Sequence, residues 1–516
     1  MNHRPRRASR LLAVIAGLAL ASQAMSGCLY SQIPEAAPRS TESKAPDTTA
    51  VDSGLLPFYE QKLDWSVCHK TFECTTVRTP LDWSDPARGD IQLAVIRHRA
   101  DSGHAIGSLL TNPGGPGASG IPYVRDSLDF FVGDLRASYD VIGFDPRGVG
   151  KSTAVKCYDA AEMDSYLFDI PAAARGSKAW TDEVTHSNRA YVHACDANSH
   201  GILPYISTEN AARDMDLLRA VLGDRKLNYL GYSWGSLLGA TYAKLFPERV
   251  GRLVLDGGID PSVSLLDSAV GQGIGFESAL RAYMSDCLAG NDCPFRGSVD
   301  EALADLGTLL SSVERDPLPS SDGRMLGASS LTQAIVEALY VKASWPTLTV
   351  ALGNALAGNP DVAFLLADSY YRRQDGRYVD SLLEPFWAYT CMDYPHDATA
   401  DQKAQAQAVL DEKAPTIAPY WFAPDPCAVW PYPATGVPGP IHAQGAAPIV
   451  VIGTTNDPAT PYKEAVALAD QLSSGVLITR VGEGHTGYNK GNKCVDRAVV
   501  NYFVDGTVPE DGLRCG

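Results

Sequence analysis

A five-residue turn constrains this chain more than any other feature. Leu227-Asn-Tyr-Leu230 is a short strand-like run, followed at once by Gly231-Tyr232-Ser233-Trp234-Gly235 and then by Ser236 to Phe246, whose composition suits a helix that stops before Pro247. Strand, tight turn and helix form the setting that a G-x-S-x-G pattern requires. The glycines leave room beside a serine held at a sharp turn. Strain aims its hydroxyl outward, and the first turn of the helix offers positive potential to a developing oxyanion. Arg252-Leu-Val-Leu-Asp256 reads as the next strand, giving the alternation expected of a parallel sheet. With 46 glycines in the chain, the five-residue pattern alone can arise by chance, so its partners decide.

A serine hydroxyl needs a base, and the base an orienting acid, in the chain order Ser, acid, His. Ala447-Pro-Ile-Val-Val-Ile452 is a buried-strand run ending in Gly453-Thr-Thr-Asn-Asp457-Pro-Ala-Thr-Pro461, which makes Asp457 the acid. After a helix and the strand Val476 to Val481 comes Gly482-Glu483-Gly484-His485-Thr486-Gly487, a histidine on a glycine loop. Of the ten histidines only His396, His442 and His485 follow Ser233. His396 precedes the last strands and His442 sits in a Pro/Gly-rich linker, which leaves His485 as the base. The oxyanion donors are the N–H of Trp234 and one from the loop Asn112-Pro113-Gly114-Gly115-Pro116-Gly117, with Gly115 chosen over its neighbour Gly114.

Tyr139-Asp-Val-Ile-Gly-Phe144 is a further strand, leading to Asp145-Pro-Arg147-Gly148-Val-Gly150-Lys151-Ser152. A phosphate loop would need glycine where Asp145 stands, so Asp145 and Arg147 read as loop braces. No dinucleotide fingerprint, C-x-x-C pair or H-E-x-x-H occurs, and neither a metal nor an organic cofactor is expected.

Together, NPGGPG at 112–117, GFDPRGVGKS at 143–152, GYSWG at 231–235, DP at 457–458 and GEGHT at 482–486 resemble the serine aminopeptidases related to proline iminopeptidase. The likeness is strongest to the exported tripeptidyl-aminopeptidase-like lipoproteins of actinobacteria, and it runs from about residue 60 to the end. It implies an α/β-hydrolase fold with a helical cap and release of short peptides from free N-termini. By motif, Ser233 matches the nucleophile, Asp457 and His485 its partners, and Gly115 and Trp234 the oxyanion donors. Pro113 stands where the iminopeptidases have His, which favours the tripeptidyl branch. A cell-envelope carboxylesterase or lipase with the same triad is the alternative, because fold does not fix substrate.

About 190 residues separate the strand ending near Gly257 from the one at Pro448. They are too many for a connection and too apolar for disorder, so they form a cap, with helices expected at Thr332 to Lys342 and Pro346 to Ala357. The domain reading is therefore a core at 59–260, a cap at 261–443 and the rest of the core at 444–516. Recognising a protonated α-amine calls for a carboxylate facing the cleft, and Asp393 and Glu384 are the candidates. Trp387, Trp421 and Trp430 could each line a subsite or fill the core.

The N-terminus places the body outside the cytoplasm. Ten basic-rich residues precede the apolar run Leu11 to Ala21, of signal-peptide length, and Met25-Ser26-Gly27-Cys28 resembles a bacterial lipobox. Residues 1–27 are read as the leader, Cys28 as the lipidated residue, and 28–58 as a Pro/Ser/Thr-rich tether, holding the protein on the extracytoplasmic face of the cell membrane. The chain has eleven cysteines, and the ten besides Cys28 fall into neighbouring pairs suited to an oxidising space: Cys68 with Cys74, Cys157 with Cys195, Cys287 with Cys293, Cys391 with Cys427, Cys494 with Cys515. Sequence does not fix connectivity, and these pairs are chosen because neighbours close short loops. A net charge of −17 argues against nucleic acid as a partner. Peptide or unfolded protein is the expected substrate, and a monomer the expected state.

Overall fold

The computed structural model describes residues 44–516. Cys28, the leader 1–27 and most of the tether 28–58 lie outside the described residues. A ten-stranded sheet carries the fold. Its strands are β1 (Ser66–Cys68), β2 (Phe72–Pro80), β3 (Asp90–His98), β4 (Gly107–Asn112), β5 (Tyr139–Phe144), β6 (Leu227–Tyr232) and β7 (Val250–Asp256), then Ile449–Asn456, Gly475–Glu483 and Leu513–Cys515. Their spatial order is β1-β2-β3-β5-β4-β6-β7 followed by the last three in chain order. The first three strands are antiparallel to one another, and β3 to β5. From β5 to the far edge every neighbour is parallel.

That order explains where the site must lie. The chain steps outward from β4 to β5 and then returns past β4 to β6, so the crevice beyond the carboxyl ends of β4 and β6 is the switch point of the sheet. Asn112 pairs with Gly231, which brings the loop after β4 level with the serine turn after β6. Asp256 pairs with both Tyr232 and Ile452, so the end of β7 sits on the same rim.

The strands are buried on both faces, and their alternation supplies two cores. Leu110, Ile142, Tyr229, Leu253 and Val451 pack on one side. Their neighbours Leu109, Val141, Leu230, Val254 and Val450 pack on the other.

The insertion between β7 and Ile449–Asn456 builds a third core of its own, in which Leu280, Leu306, Leu331, Leu348 and Phe364 meet. Helices Leu265–Ala289, Val299–Arg315, Ala328–Leu339, Trp345–Leu356 and Asp361–Tyr371 surround it. The two helices expected from sequence are present with starts one to four residues earlier. Ser298 and Glu301 cap the second helix reciprocally, which fixes where it begins. Two departures from the sequence boundaries stand out. The excursion between β5 and β6, counted with the core, sends Phe168 into the cap against Phe364 and Tyr371. The late helix Leu383–Asp393, counted with the cap, buries Ala388 and Tyr389 in the main core.

The described cysteines form disulfides in the five neighbouring pairs, Cys68–Cys74, Cys157–Cys195, Cys287–Cys293, Cys391–Cys427 and Cys494–Cys515. Among the described residues no helix is long and apolar enough to cross a membrane.

Candidate active site

Ser233 stands between β6 and the helix Trp234–Leu245 with φ of 56° and ψ of −123°, a conformation that costs an L-residue energy and persists only where its surroundings hold it. They do so here. Its N–H donates to the Asp256 carbonyl at 2.8 Å, and its carbonyl accepts from the Ser236 N–H at 2.7 Å and hydroxyl at 2.6 Å. A Cβ on Gly231 would collide with the Gly235 carbonyl, so the turn admits no side chain at that position. The helix begins at Trp234 rather than Ser236, which puts the Trp234 N–H at its free N-terminal end.

The loop after β4 lies against this turn. A Cβ on Gly114 would sit 2.9 Å from the Ser233 Cβ and 3.4 Å from the Trp234 nitrogen. The Gly114 N–H is already committed to Asn112 Oδ1 at 2.9 Å, and the next amide in the loop is that of Gly115. Asp145 holds the far side of the loop by accepting from Ser119 Oγ at 2.5 Å, and from the amides of Ile121 at 3.2 Å and Lys151 at 2.7 Å. Arg147 forms a fully buried bidentate pair with Asp214, both bonds 2.7 Å. Both residues brace loops, as their sequence context suggested.

Asp457 and His485 meet at the rim. Both carboxylate oxygens face Nδ1, at 2.8 Å and 2.9 Å. The same carboxylate accepts amide bonds from Ala459, Thr460 and Thr486, each 3.0 Å, so its position is over-determined. With Nδ1 engaged, Nε2 is the free nitrogen, and it is buried without a hydrogen-bond partner among the described residues. The cap reaches the imidazole directly: Tyr340 lies edge-on to it at 5.4 Å between ring centres, and its carbonyl accepts the His485 N–H at 2.8 Å.

Two cavities flank the loop at 113–119. One of about 170 Å³ is bounded by Pro113, Tyr340, His485, Tyr488 and Lys490. The other, about 1050 Å³, is bounded by Ser119, Ile121, Lys151, Tyr158, Asp380 and Glu384. Burial pushes the Glu384 carboxyl up to about 7, and the nearby Asp380 charge adds to the shift. Asp380 is itself raised by burial and accepts the Ser119 N–H at 3.3 Å. Any side chain at Gly117 would run into Leu382 and Pro385, so the loop and the segment carrying these acids are in contact.

Asp393 requires a correction. It lies at the opposite end of the Leu383–Asp393 helix from Glu384, about 14 Å away at 1.5 Å per residue, and bounds neither cavity. Both of its oxygens are taken by Thr208, through N–H at 2.8 Å and Oγ1 at 2.6 Å, and Trp234 Nε1 donates to that same Oγ1 at 3.0 Å. Asp393 is thus a brace beneath the serine helix, with both oxygens engaged by Thr208 and neither facing a cavity described above. Trp387, Trp421 and Trp430 also bound neither cavity and pack against the cores. Cys391, His396 and Cys427 converge, but the two sulfurs are bonded to each other and offer no thiolate to a metal. Sequence reading passed over Asp256, whose only signal was an acid ending the strand Val250–Asp256.

Residues 107–489 match a family model described as the alpha/beta hydrolase fold. The chain is 34% identical over 482 residues to serine protease Hip1 of Mycobacterium tuberculosis, covering 89% of this chain and 92% of that protein. It is 37% identical over 507 residues to carboxylesterase B of the same organism, covering 95% and 96%. With tripeptidyl aminopeptidase of Streptomyces lividans it shares 29% over 480 residues, covering 88% and 86%.

Proposed function

This chain belongs to the alpha/beta hydrolase fold family, and from that premise we propose that it is a serine peptidase that hydrolyses peptide bonds near free N-termini. The observation that carries the chemistry is the Asp457 carboxylate held on Nδ1 of His485 with Nε2 left open. In that tautomer the imidazole is a base toward a hydroxyl. Ser233 Oγ attacks the scissile carbonyl, His485 takes its proton and returns it to the leaving amine, and water then releases the acyl group by the same route. The N–H groups of Trp234 and Gly115 stabilise the tetrahedral oxyanion. No step needs a metal or organic cofactor.

Glu384 is the group proposed to receive the substrate's α-ammonium. It borders the larger cavity, beside the loop that holds the scissile carbonyl, and lacks a cationic partner among its nearest charges. An ammonium placed there would draw the carboxyl back to its charged form, so binding and ionisation support each other. The names of two relatives, a serine protease and a tripeptidyl aminopeptidase, favour peptides. The carboxylesterase name favours esters and sets the alternative. We further propose that the protein is exported, lipidated at Cys28 and held on the extracytoplasmic membrane surface. The leader-like N-terminus and five disulfides support this location.

The test compares a tripeptidyl anilide bearing a free N-terminus, its N-acetylated form and a short p-nitrophenyl ester. Turnover of the free anilide with at least tenfold loss on acetylation is expected. Ester cleavage without anilide turnover would replace the peptidase reading with the esterase one.

A further inference from the structure

Four consecutive amides in the histidine loop are engaged by three distant parts of the chain. The His485 N–H goes to the Tyr340 carbonyl of the cap at 2.8 Å, and the Thr486 N–H to Asp457 Oδ2 at 3.0 Å. The next two go to one side chain, with Gly487 N–H on Asp256 Oδ1 and Tyr488 N–H on Asp256 Oδ2, both 2.7 Å. Those are short, charge-assisted bonds made by a residue with no solvent exposure.

Asp256 is also the residue whose main chain holds the serine, its carbonyl accepting the Ser233 N–H at 2.8 Å. The next amide, Gly257, donates to the Ile452 carbonyl of the strand that leads to Asp457 at 3.0 Å, and a Cβ on Gly257 would lie 3.2 Å from His485 Cε1. The end of β7 is therefore where the serine turn, the acid strand and the histidine loop are joined. Lys490 and Arg480 are the cationic groups around the carboxylate, His485 the nearby imidazole, and Tyr123 and Tyr232 the nearby phenols. Among the described residues none of the cations comes within ion-pair distance, so the two amides are its closest partners.

We infer that Asp256 is a positioning residue: its carboxylate fixes the backbone that carries His485, while Asp457 fixes the rotation and tautomer of the ring. The two acids share the work because an imidazole needs both. Asp457 alone leaves the 487–488 turn free to shift, and a shift of about 1 Å between base and nucleophile can cost about 10²-fold in rate. This inference rests on the Ser233–His485 chemistry proposed above and is independent of which bond is cut.

The test uses the full chain with Asp256→Asn, assayed for kcat and KM on a substrate the wild type turns over and for its second-order rate of labelling by a fluorophosphonate. The amide keeps one acceptor but turns its NH₂ toward the other loop N–H. The expected result is a kcat lower by about 10²-fold with KM within about twofold, and a parallel fall in labelling rate. Glu277→Gln serves as the control for stability loss alone, since the Glu277 carboxylate is likewise buried and accepts the amides of Thr416 and Ile417 in the cap. It is expected to lower Tm and leave kcat unchanged. If Asp256→Asn does not accumulate as folded protein, Asp256→Ser, smaller and able to accept one bond, carries the same test. A kcat within threefold of wild type, or a loss that Glu277→Gln reproduces at equal Tm, overturns the inference. Labelling of wild type that survives Ser233→Ala would instead sink the serine mechanism on which it rests.

Discussion

The two sides of the loop at 113–119 are built on opposite terms. On the histidine side both carboxylates are fully engaged: Asp457 accepts from a ring and three amides, and Asp256 from two amides. On the Glu384 side two carboxylates, Asp380 and Glu384, face a cavity of about 1050 Å³ with their ionisation opposed by burial, that of Asp380 also by Asp145 and that of Glu384 also by Asp380. The first arrangement is a preorganised machine that costs nothing to reorganise during reaction. The second keeps the Glu384 carboxyl poised between its two forms beside open space, which suits the proposed recognition of a substrate ammonium. With Glu384 in its proposed role chemistry and selectivity are separable, and substitutions on the two sides should fail in different ways.

The largest effect belongs to the satisfied side. Asp457→Asn removes the acceptor that sets the imidazole tautomer, and its kcat should fall by about 10⁴-fold toward peptide and ester alike. A loss below tenfold in steady-state assays would mean that the ring is oriented by something else. On the open side, Glu384→Gln should lower kcat/KM for free-amine peptides by about 10²-fold, the cost of a lost charged hydrogen bond, while leaving ester turnover within threefold. Equal losses on both substrates would erase the distinction between the sides.

The smallest effect is on stability. The carboxyls of Glu384 and Asp393 are both raised to about 7, chiefly by burial, above their values in an unfolded chain. The folded state therefore holds protons that the unfolded state has released, so this contribution is complete below about pH 4 and is lost as pH rises through about 7. A Tm lower by a few degrees at pH 7.5 than at pH 5 is expected, with a shallower slope in Asp393→Asn. A Tm that rises across this range would contradict the assignment.

What was legible in the sequence follows the same division. The Ser233 turn could be read because strand, glycines and helix are contiguous, and Asp457 and His485 because each follows its own strand in the required order. The cap could be read from the length of the insertion. Asp256 could not, because its partners lie 231 and 232 residues away and only the pairing of β7 with its neighbours brings them onto one rim. Asp393 was misread because sequence position says nothing about the direction in which a carboxylate faces. A helix places Glu384 at one end and Asp393 at the other, and only the fold reveals which end opens on a cavity. The share of the excursion in the cap was hidden for a related reason, since Phe168 joins the cap core through contacts nearly 200 residues along the chain.

The central claim is that this is a serine peptidase that reads a free amino terminus, and mass spectrometry of the products from one peptide of mixed sequence, offered free and N-acetylated to the wild-type protein, tests it most directly. The account predicts cleavage a few residues from the free N-terminus and little or none of the acetylated twin. Cleavage of both peptides at the same internal bonds would contradict it.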